Sequence, residues 1–441
     1  MSTTTFTRDD YKRFADENEI DLAGVGEMPR DEFFELLNRI INDDEVPFPI
    51  PVEKRQPYLD ACAAGELFSI GGFTDLTVDL KHYANSQQYE QYTFEEHLSW
   101  ACLVAQQQKT KHEFACREYL QGEELFEIGS AMIPNYWLLN ARIYQQTGWQ
   151  LATVKEIIPA ELFFTCHSRR FFPVTTFMRP LGTDYLEEPD IGHDVAGHVA
   201  TFTIPAVANV MQNHGRARDL IYAHRDEQLV GVTDPAEIES ISQHADQLLT
   251  YAGRIYWFTV EFGLVMQDGE VRDFGAGILS SPGETKYSIQ NDDSNRILID
   301  PQEDADLLRL ANTDYLISEF QKTYFVSESF DRLDTLTPER IYEASKKAMS
   351  LPDFTWREIV PGDRVLNVGR TATSVNEKYY RLMAGQQMDD CLHRTAMGNL
   401  KMYADGFDRE LLKQFRAAPP SIPEKALEWY RNQRDSSVGS S

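Results

Sequence analysis

Cationic residues are in short supply in this sequence. Against 70 Asp and Glu stand 42 Lys and Arg, a formal net charge of -28. A surface with that balance repels nucleic acid and anionic membranes, which excludes both as expected partners. The acidic residues are scattered rather than gathered into a tail, so the charge reads as a means of staying soluble. Cysteine is scarce too. Cys62, Cys102, Cys116, Cys166 and Cys391 are odd in number and show no CxxC spacing. That excludes a disulfide framework or a thiolate zinc cage and predicts reduced, mostly buried thiols. No apolar run approaches the length of a bilayer-spanning helix. The opening stretch Met1–Phe6 lacks the basic start and apolar core of a signal peptide, so a cytoplasmic protein is expected. What the chain does have is size and grease: 441 residues, 42% hydrophobic and 12% aromatic, enough for a large core and more than one average domain.

Along the chain, Thr7–Tyr11 and Pro29–Leu37 open two amphipathic stretches, the second with proline in its first turn. Alternate prolines in Val46–Pro51 then force extended backbone. Thr93-Phe94-Glu95-Glu96 is a capping-box start, and helical segments follow to about Gly148. His97 and His112 in this region read as solvated or capping residues. Phe163-Phe164 and Phe171-Phe172, taken without context, read as core. Residues 209–253 are polar with helical patterning, and Asp234-Pro235 marks a helix start; His214, His224 and His244 within it are not expected to ligate a metal. Beyond residue 370, Val375–Tyr403 and Asp408–Phe415 carry helical spacing without strict heptads, and Asp435–Ser441 reads as disordered.

The chemistry centres on Pro189-Asp190-Ile191-Gly192-His193-Asp194-Val195-Ala196-Gly197-His198. Two histidines beside a run of carboxylates make half of a metal site, and neutral imidazole suits Fe, Zn, Cu or Ni alike. The histidines are five positions apart, roughly 140° round an ideal α-helix, unlike the four-residue spacing of the HExxH zinc signature. Either His193 lies on an irregular turn before a helix, or the helix is distorted. A third donor is offered by Glu261, the single carboxylate in the aromatic run Ile255–Leu264. A buried carboxylate is costly unless paired or bound to a cation; the plain alternative is an ion pair with Arg254 or Lys286. Two histidines and a carboxylate match the facial triad of non-haem Fe(II) oxygenases. Periodicity leaves open whether the Glu261 run is helix or strand.

PDIGHDVAGH, YWFTVEFGL and Phe274-Gly275-Ala276-Gly277-Ile278-Leu279-Ser280-Ser281, in that order, resemble the pterin-dependent aromatic amino acid hydroxylases. The similarity begins near Thr93, ends near Leu366 and covers roughly two-thirds of the chain. It is nearest to the phenylalanine hydroxylases. The resemblance implies a mostly α fold with a few short strands, in which a hydroxylase catalytic domain at 85–370 lies between an N-terminal extension at 1–84 and a helical C-terminal extension at 371–441. The alternating pattern of a βαββαβ regulatory domain is not seen in 1–84. A homo-oligomer formed through the extensions is compatible with this layout.

For the site, the resemblance implies Fe(II) on His193, His198 and Glu261, with tetrahydropterin and O2 as co-substrates. Tyr256 lies close to the metal in the family. Arg179 would clamp the carboxylate of an aromatic amino acid, with Pro189, Trp257, Phe262 and Ser280 also at the substrate. Phe163 and Asp194 would hold the pterin, Phe163 by stacking. Trp at position 257 tilts the substrate towards a single ring, phenylalanine first.

The sequence departs from the family at several points. Glu161 and Leu162 stand where an arginine usually precedes the aromatic pair, one residue is deleted between Arg179 and the histidines, Leu186 replaces a threonine, and Asp194 replaces glutamate. Sixty-eight positions separate His193 from Glu261, longer than the family's spacing and read as a helical insertion. The departures keep alternatives alive: the same iron scaffold acting on another aromatic compound, on tryptophan, at the meta position or on a carrier-bound substrate, or a non-catalytic relative that binds an aromatic metabolite. A zinc hydrolase is disfavoured by the histidine spacing.

Overall fold

A computed structural model gives the architecture and describes residues 83, 85, 87, 88, 91–126, 128, 133–179, 189–290, 293–315, 320–360, 362–369 and 373–374. The amphipathic stretches before residue 83, Leu186 with its neighbour Tyr185, and the helices expected beyond residue 374 lie outside the described residues. Helix predominates and strands are short, as the resemblance implied. The chain forms two units, one running to Asp219 and completed by Asp273–Thr285, the other made of Leu220–Arg272 and the chain from Lys286.

In the first unit, α1 (Phe94–Phe114) starts at the expected capping box. The Glu96 carboxylate accepts from the Thr93 amide at 2.8 Å, and the Thr93 hydroxyl accepts from the Glu96 amide at 3.2 Å, so two of the amides that a helix start leaves over are satisfied reciprocally. Trp100, Cys102 and Val104 on this helix are buried. Helices α2 (Arg117–Phe126) and α3 (Tyr136–Thr147) follow, then β1 (Gln150–Thr153), α4 (Ala160–Ser168) and β2 (Phe171–Val174). β1 and β2 pair in parallel, Gln150 opposite Phe171, and α4 is the crossover between them. The aromatic pairs contribute to the core, with Phe164, Phe171 and Phe172 buried and Phe163 half-buried. His112 is exposed as expected; His97 is not. Its ring is fully buried and accepts from the Ile133 amide, so it is an internal packing residue. Cys102, Cys116 and Cys166 are free and buried, and burial pushes the Cys116 and Cys166 thiols up to about 12.

The histidine segment then runs from the helical turn Ile191–His193 through a π-helical turn, Asp194–His198, into a 3₁₀ turn, Val199–Thr203, and on to α5 (Pro205–Leu229). Within Gly275–Ser281, Ala276–Leu279 is a short helical turn. It lies so close to the π turn that a Cβ on Gly197 would meet the Ala276 carbonyl oxygen at 2.7 Å and the Ser280 Cβ at 3.2 Å.

The second unit opens its longest helix, α6 (Pro235–Tyr256), at the predicted start, with the Asp234 carboxylate accepting from the Ala236 amide at 3.0 Å. A second π turn, Trp257–Glu261, ends it, and β3 (Gly263–Gln267) begins two residues later; the aromatic run is helix first and strand second. β3 turns into β4 (Glu270–Asp273) through Asp268-Gly269, both at positive φ, the tight hairpin turn that Asp-Gly favours. With β5 (Asn295–Ile299), β6 (Thr323–Ser327) and β7 (Arg364–Asn367) these make a sheet of order β4-β3-β6-β5-β7. β6 pairs in parallel with both β3 and β5, and β7 closes the edge antiparallel to β5. Alternate residues of β5 and every residue of β6 are buried. Among the described residues, no helix is long and apolar enough to cross a membrane.

Two consequences can be measured. His214 is buried, with its Nδ1–H donating to the Val210 carbonyl, and burial pulls its pKa down from about 6.5 to about 4. Below pH 6.5 the unfolded chain takes up a proton that the folded chain refuses, so stability present above that value drains away towards pH 4. The metal-free protein should lose about 3 kcal/mol through this group across the window; urea melts of His214→Gln at stepped pH should show the loss reduced, and identical pH slopes would refute it. Gly197→Ala should lower the urea midpoint by an equivalent of about 1–3 kcal/mol through overpacking; an unchanged midpoint would mean that the Ala276 turn yields freely.

Candidate metal centre

Asp190 builds the entry to the histidine segment. Its carboxylate is fully buried and accepts from the His193 amide at 3.1 Å, capping the first turn. The same carboxylate takes the Arg179 amide at 2.9 Å, Nε at 2.8 Å and Nη2 at 2.5 Å. Cap and salt bridge therefore share one anion. The π turn that follows explains the five-residue spacing: its i→i+5 pattern brings the fifth residue nearer to the starting face than α geometry does. Of the two sequence alternatives the second holds: His193 ends a helical turn, and the helix is distorted directly after it.

The two Nε2 atoms lie 3.2 Å apart with the rings at 73°. Two donors each about 2.1 Å from one metal ion and at right angles to each other are about 3 Å apart, so the spacing suits a shared ion. Protonation fits as well. The Ser280 hydroxyl donates to the Gly277 carbonyl at 3.0 Å and lies 3.0 Å from His193 Nδ1. With its proton committed, Ser280 Oγ accepts from Nδ1–H, which leaves the Nε2 lone pair of His193 free to ligate. Phe172 packs against the His198 ring at 4.4 Å between centroids and restrains its rotation.

Glu261 ends the second π turn and is 2% exposed. Of the two cations considered for an ion pair, one is engaged elsewhere and the other is exposed. The Arg254 guanidinium donates to Asp314 and, at 2.7 Å, to Asp353, and Lys286 is exposed. Among the described residues, one group of three or more His, Cys, Asp or Glu side chains can offer ligand atoms all within 4.8 Å of one another: His193, His198 and Glu261. Two imidazole nitrogens and one carboxylate oxygen form the donor set of a facial triad, which leaves open positions for other ligands. His214, His224 and His244 are not in the group, and neither are the carboxylates of Asp190 and Asp194.

Phe163 is half-buried on α4, its ring 4.2 Å from His167 and edge-on to Phe164 and Phe172. Glu161, where the family has arginine nearby, pairs with Arg218 at 2.5 Å. Asp194 is 3% exposed, and its Oδ2 accepts from the Thr175 amide at 2.6 Å and the Thr175 hydroxyl at 2.8 Å. Burial pushes its carboxyl up to about 7, against the Thr175 hydrogen bonds and the nearby His198. That is an internal engagement the sequence reading did not foresee for a cofactor-binding residue. Pro189 turns its carbonyl to the Thr175 hydroxyl, 3.1 Å away. In the second unit, Trp257 is half-buried and stacked on Phe262 at 6.0 Å, with Tyr256 edge-on behind it.

Sequence reasoning missed Thr175 and the anchoring role of Asp190. It also missed Lys111, Gln107 and Tyr119, whose polar atoms reach the histidine segment or Ser280. Asp190 had a signal, since Asp three residues before the first histidine is a good N-cap. The others stand on distant stretches with no spacing to betray them.

Residues 71–347 match the family of biopterin-dependent aromatic amino acid hydroxylases. The phenylalanine-4-hydroxylase of Chromobacterium violaceum is 33% identical over 301 residues, 67% of this chain and 92% of that protein. That of Ralstonia nicotianae is 35% identical over 291 residues, 65% of this chain and 83% of its own. A crystal structure of the C. violaceum phenylalanine hydroxylase with bound iron(III) and the oxidized cofactor 7,8-dihydrobiopterin superposes with a TM-score of 0.54 at 32% identity, covering 66% of this chain and 96% of that one. A match of this extent carries the motifs and the donor set in one frame, and the chain belongs to the biopterin-dependent aromatic amino acid hydroxylases.

Proposed function

We propose that this protein hydroxylates the aromatic ring of free phenylalanine, using O2, tetrahydropterin and Fe(II) held by His193, His198 and Glu261. The observation that carries the reading is the donor set itself, three ligand atoms within 4.8 Å of one another on side chains of the right types. The phenylalanine hydroxylases among its relatives support the choice of substrate. Iron and tetrahydropterin supply O2 activation and two electrons, so that one oxygen atom enters the ring and the other is reduced to the level of water.

The chain's own residues do the holding. His193 keeps its Nε2 lone pair for the metal because Nδ1–H is bound by Ser280. Asp190 takes the Nε and Nη2 donors of Arg179, which keeps the guanidinium in one orientation and leaves Nη1 as the donor for an incoming amino acid carboxylate. The half-buried Phe163 ring offers a face for a pterin, and Asp194, a buried carboxyl tied to Thr175, is the second residue assigned to that cofactor. The stacked pair Trp257 and Phe262 borders the substrate ring, with Tyr256 near the metal. A cytoplasmic setting and a homo-oligomer built through the extensions belong to the same reading.

The deciding experiment loads the protein anaerobically with Fe(II), then adds tetrahydropterin, air and each of phenylalanine, tyrosine and tryptophan. Tyrosine formed from phenylalanine, coupled to pterin oxidation, is the expected result; iron binding without coupled product would overturn the substrate assignment. His193→Ala and Glu261→Ala should each abolish turnover and iron retention while circular dichroism keeps the helical signature, and full activity in either would remove that residue from the site. Arg179→Lys keeps a cation beside Asp190 but loses the planar fork. It should raise the apparent KM for phenylalanine roughly 10–100-fold, with kcat much less affected; an unchanged KM would end the clamp assignment.

A further inference from the structure

We infer that Lys111, Glu123 and Tyr119 are positioning residues whose buried polar network fixes the π turn between His193 and His198 and thereby sets the geometry of the metal donors. The inference rests on the metal reading above. Lys111 on α1 and Tyr119 on α2 are both fully buried. Each donor of the Lys111 ammonium has a destination: Glu123 Oε1 at 2.6 Å, the Ala196 carbonyl at 2.5 Å and Gln107 Oε1 at 3.4 Å. The Tyr119 hydroxyl lies 2.5 Å from the Ala196 carbonyl and 3.0 Å from that of Gly197. Ala196 and Gly197 are in the middle of the π turn, immediately before His198.

A second arm reaches the other histidine. Gln107, held by Lys111, donates from Nε2 to the Ser280 carbonyl at 2.7 Å, and the Ser280 hydroxyl receives His193 Nδ1–H. One ammonium thus restrains the backbone before His198 directly and the acceptor of His193 through Gln107. Burying it is costly. Burial pulls the Lys111 pKa down, and the charge of Glu123 works the other way. Apolar side chains of similar volume at 111 and 123 would pack without that cost. Side-chain donors at a π turn, where backbone bonding is out of α register, have a structural use that apolar substitutes lack.

The network is tested on the full-length protein with cobalt(II) as the metal probe. Lys111→Met combined with Glu123→Leu removes both charges at once, so no buried ion is stranded. The metal-free double variant should melt at or above the parent temperature, yet bind cobalt(II) about 10–100-fold more weakly and with a shifted visible ligand-field spectrum. Tyr119→Phe should weaken binding in the same direction by a smaller factor, and it decides the matter by itself if the double variant does not fold. Unchanged affinity and spectrum in a well-folded variant would overturn the inference. His193→Ala measured in parallel separates the two levels: if it binds cobalt(II) as the parent does, the metal reading has failed rather than the network.

Discussion

A π turn places five residues where an α-helix has fewer in one circuit, and the site depends on that extra residue. His193 and His198 could not bring their Nε2 atoms to 3.2 Å on a regular helix, because five α positions overshoot one turn. The widened turn is held from outside by Lys111 and Tyr119 on its carbonyls and by Phe172 against the His198 ring. It also needs room. The absent side chain at Gly197 is what lets the Ala276–Leu279 turn, and with it Ser280, come close enough to bind His193. Glu261 is likewise presented at the end of a π turn, so His198 and Glu261 each close a turn that departs from α geometry.

Charged side chains placed out of water around this turn are answered by several partners at once. Asp190 is fully buried and accepts four hydrogen bonds, from the His193 amide and from the amide, Nε and Nη2 of Arg179. Removing the guanidinium would leave that carboxylate stranded, a loss of about 3–5 kcal/mol. The capping of the histidine turn and the aim of the proposed substrate clamp are therefore coupled through a single side chain. In the second unit, Arg309 plays a purely architectural version of the same part, tying α-helical Asp304–Ala311 to Asp363 at 2.9 Å and to the Glu358 carbonyl at 2.6 Å.

Much of this was legible in the sequence where local chemistry decides structure. The capping box at Thr93 and the Asp234-Pro235 start appear where they were read, because a cap is a contact between residues two or three apart. The ligand types were legible for a different reason, an isolated carboxylate in an apolar run and two histidines in a short motif. The π turns were not: the one at Asp194–His198 is held by Lys111 on α1, Tyr119 on α2 and the Ala276 turn, contacts that no local propensity reveals. Nor could periodicity tell the helix of Ile255–Glu261 from the strand that begins at Gly263, when both are buried and aromatic. His97 shows the opposite failure: a polar residue on a helix start reads as solvated, and only the fold reveals that its ring is enclosed and bound to the Ile133 amide.

The departures from the family pattern bear differently on the site once the contacts are known. Glu161 reverses a charge beside the proposed pterin platform, but its carboxylate is taken up by Arg218. The orientation of Phe163 is set by His167, Phe164 and Phe172, none of which depends on residue 161. A stacking surface needs a ring held in place more than it needs a neighbouring cation, and these ring contacts of Phe163 do not involve residue 161. Asp194 is the weightier change. Its carboxyl is anchored to Thr175, one residue after β2 and on the same strand-to-loop passage that leads to Arg179. Any hold it has on a cofactor would therefore be coupled, through Thr175, to the segment that carries the proposed substrate clamp.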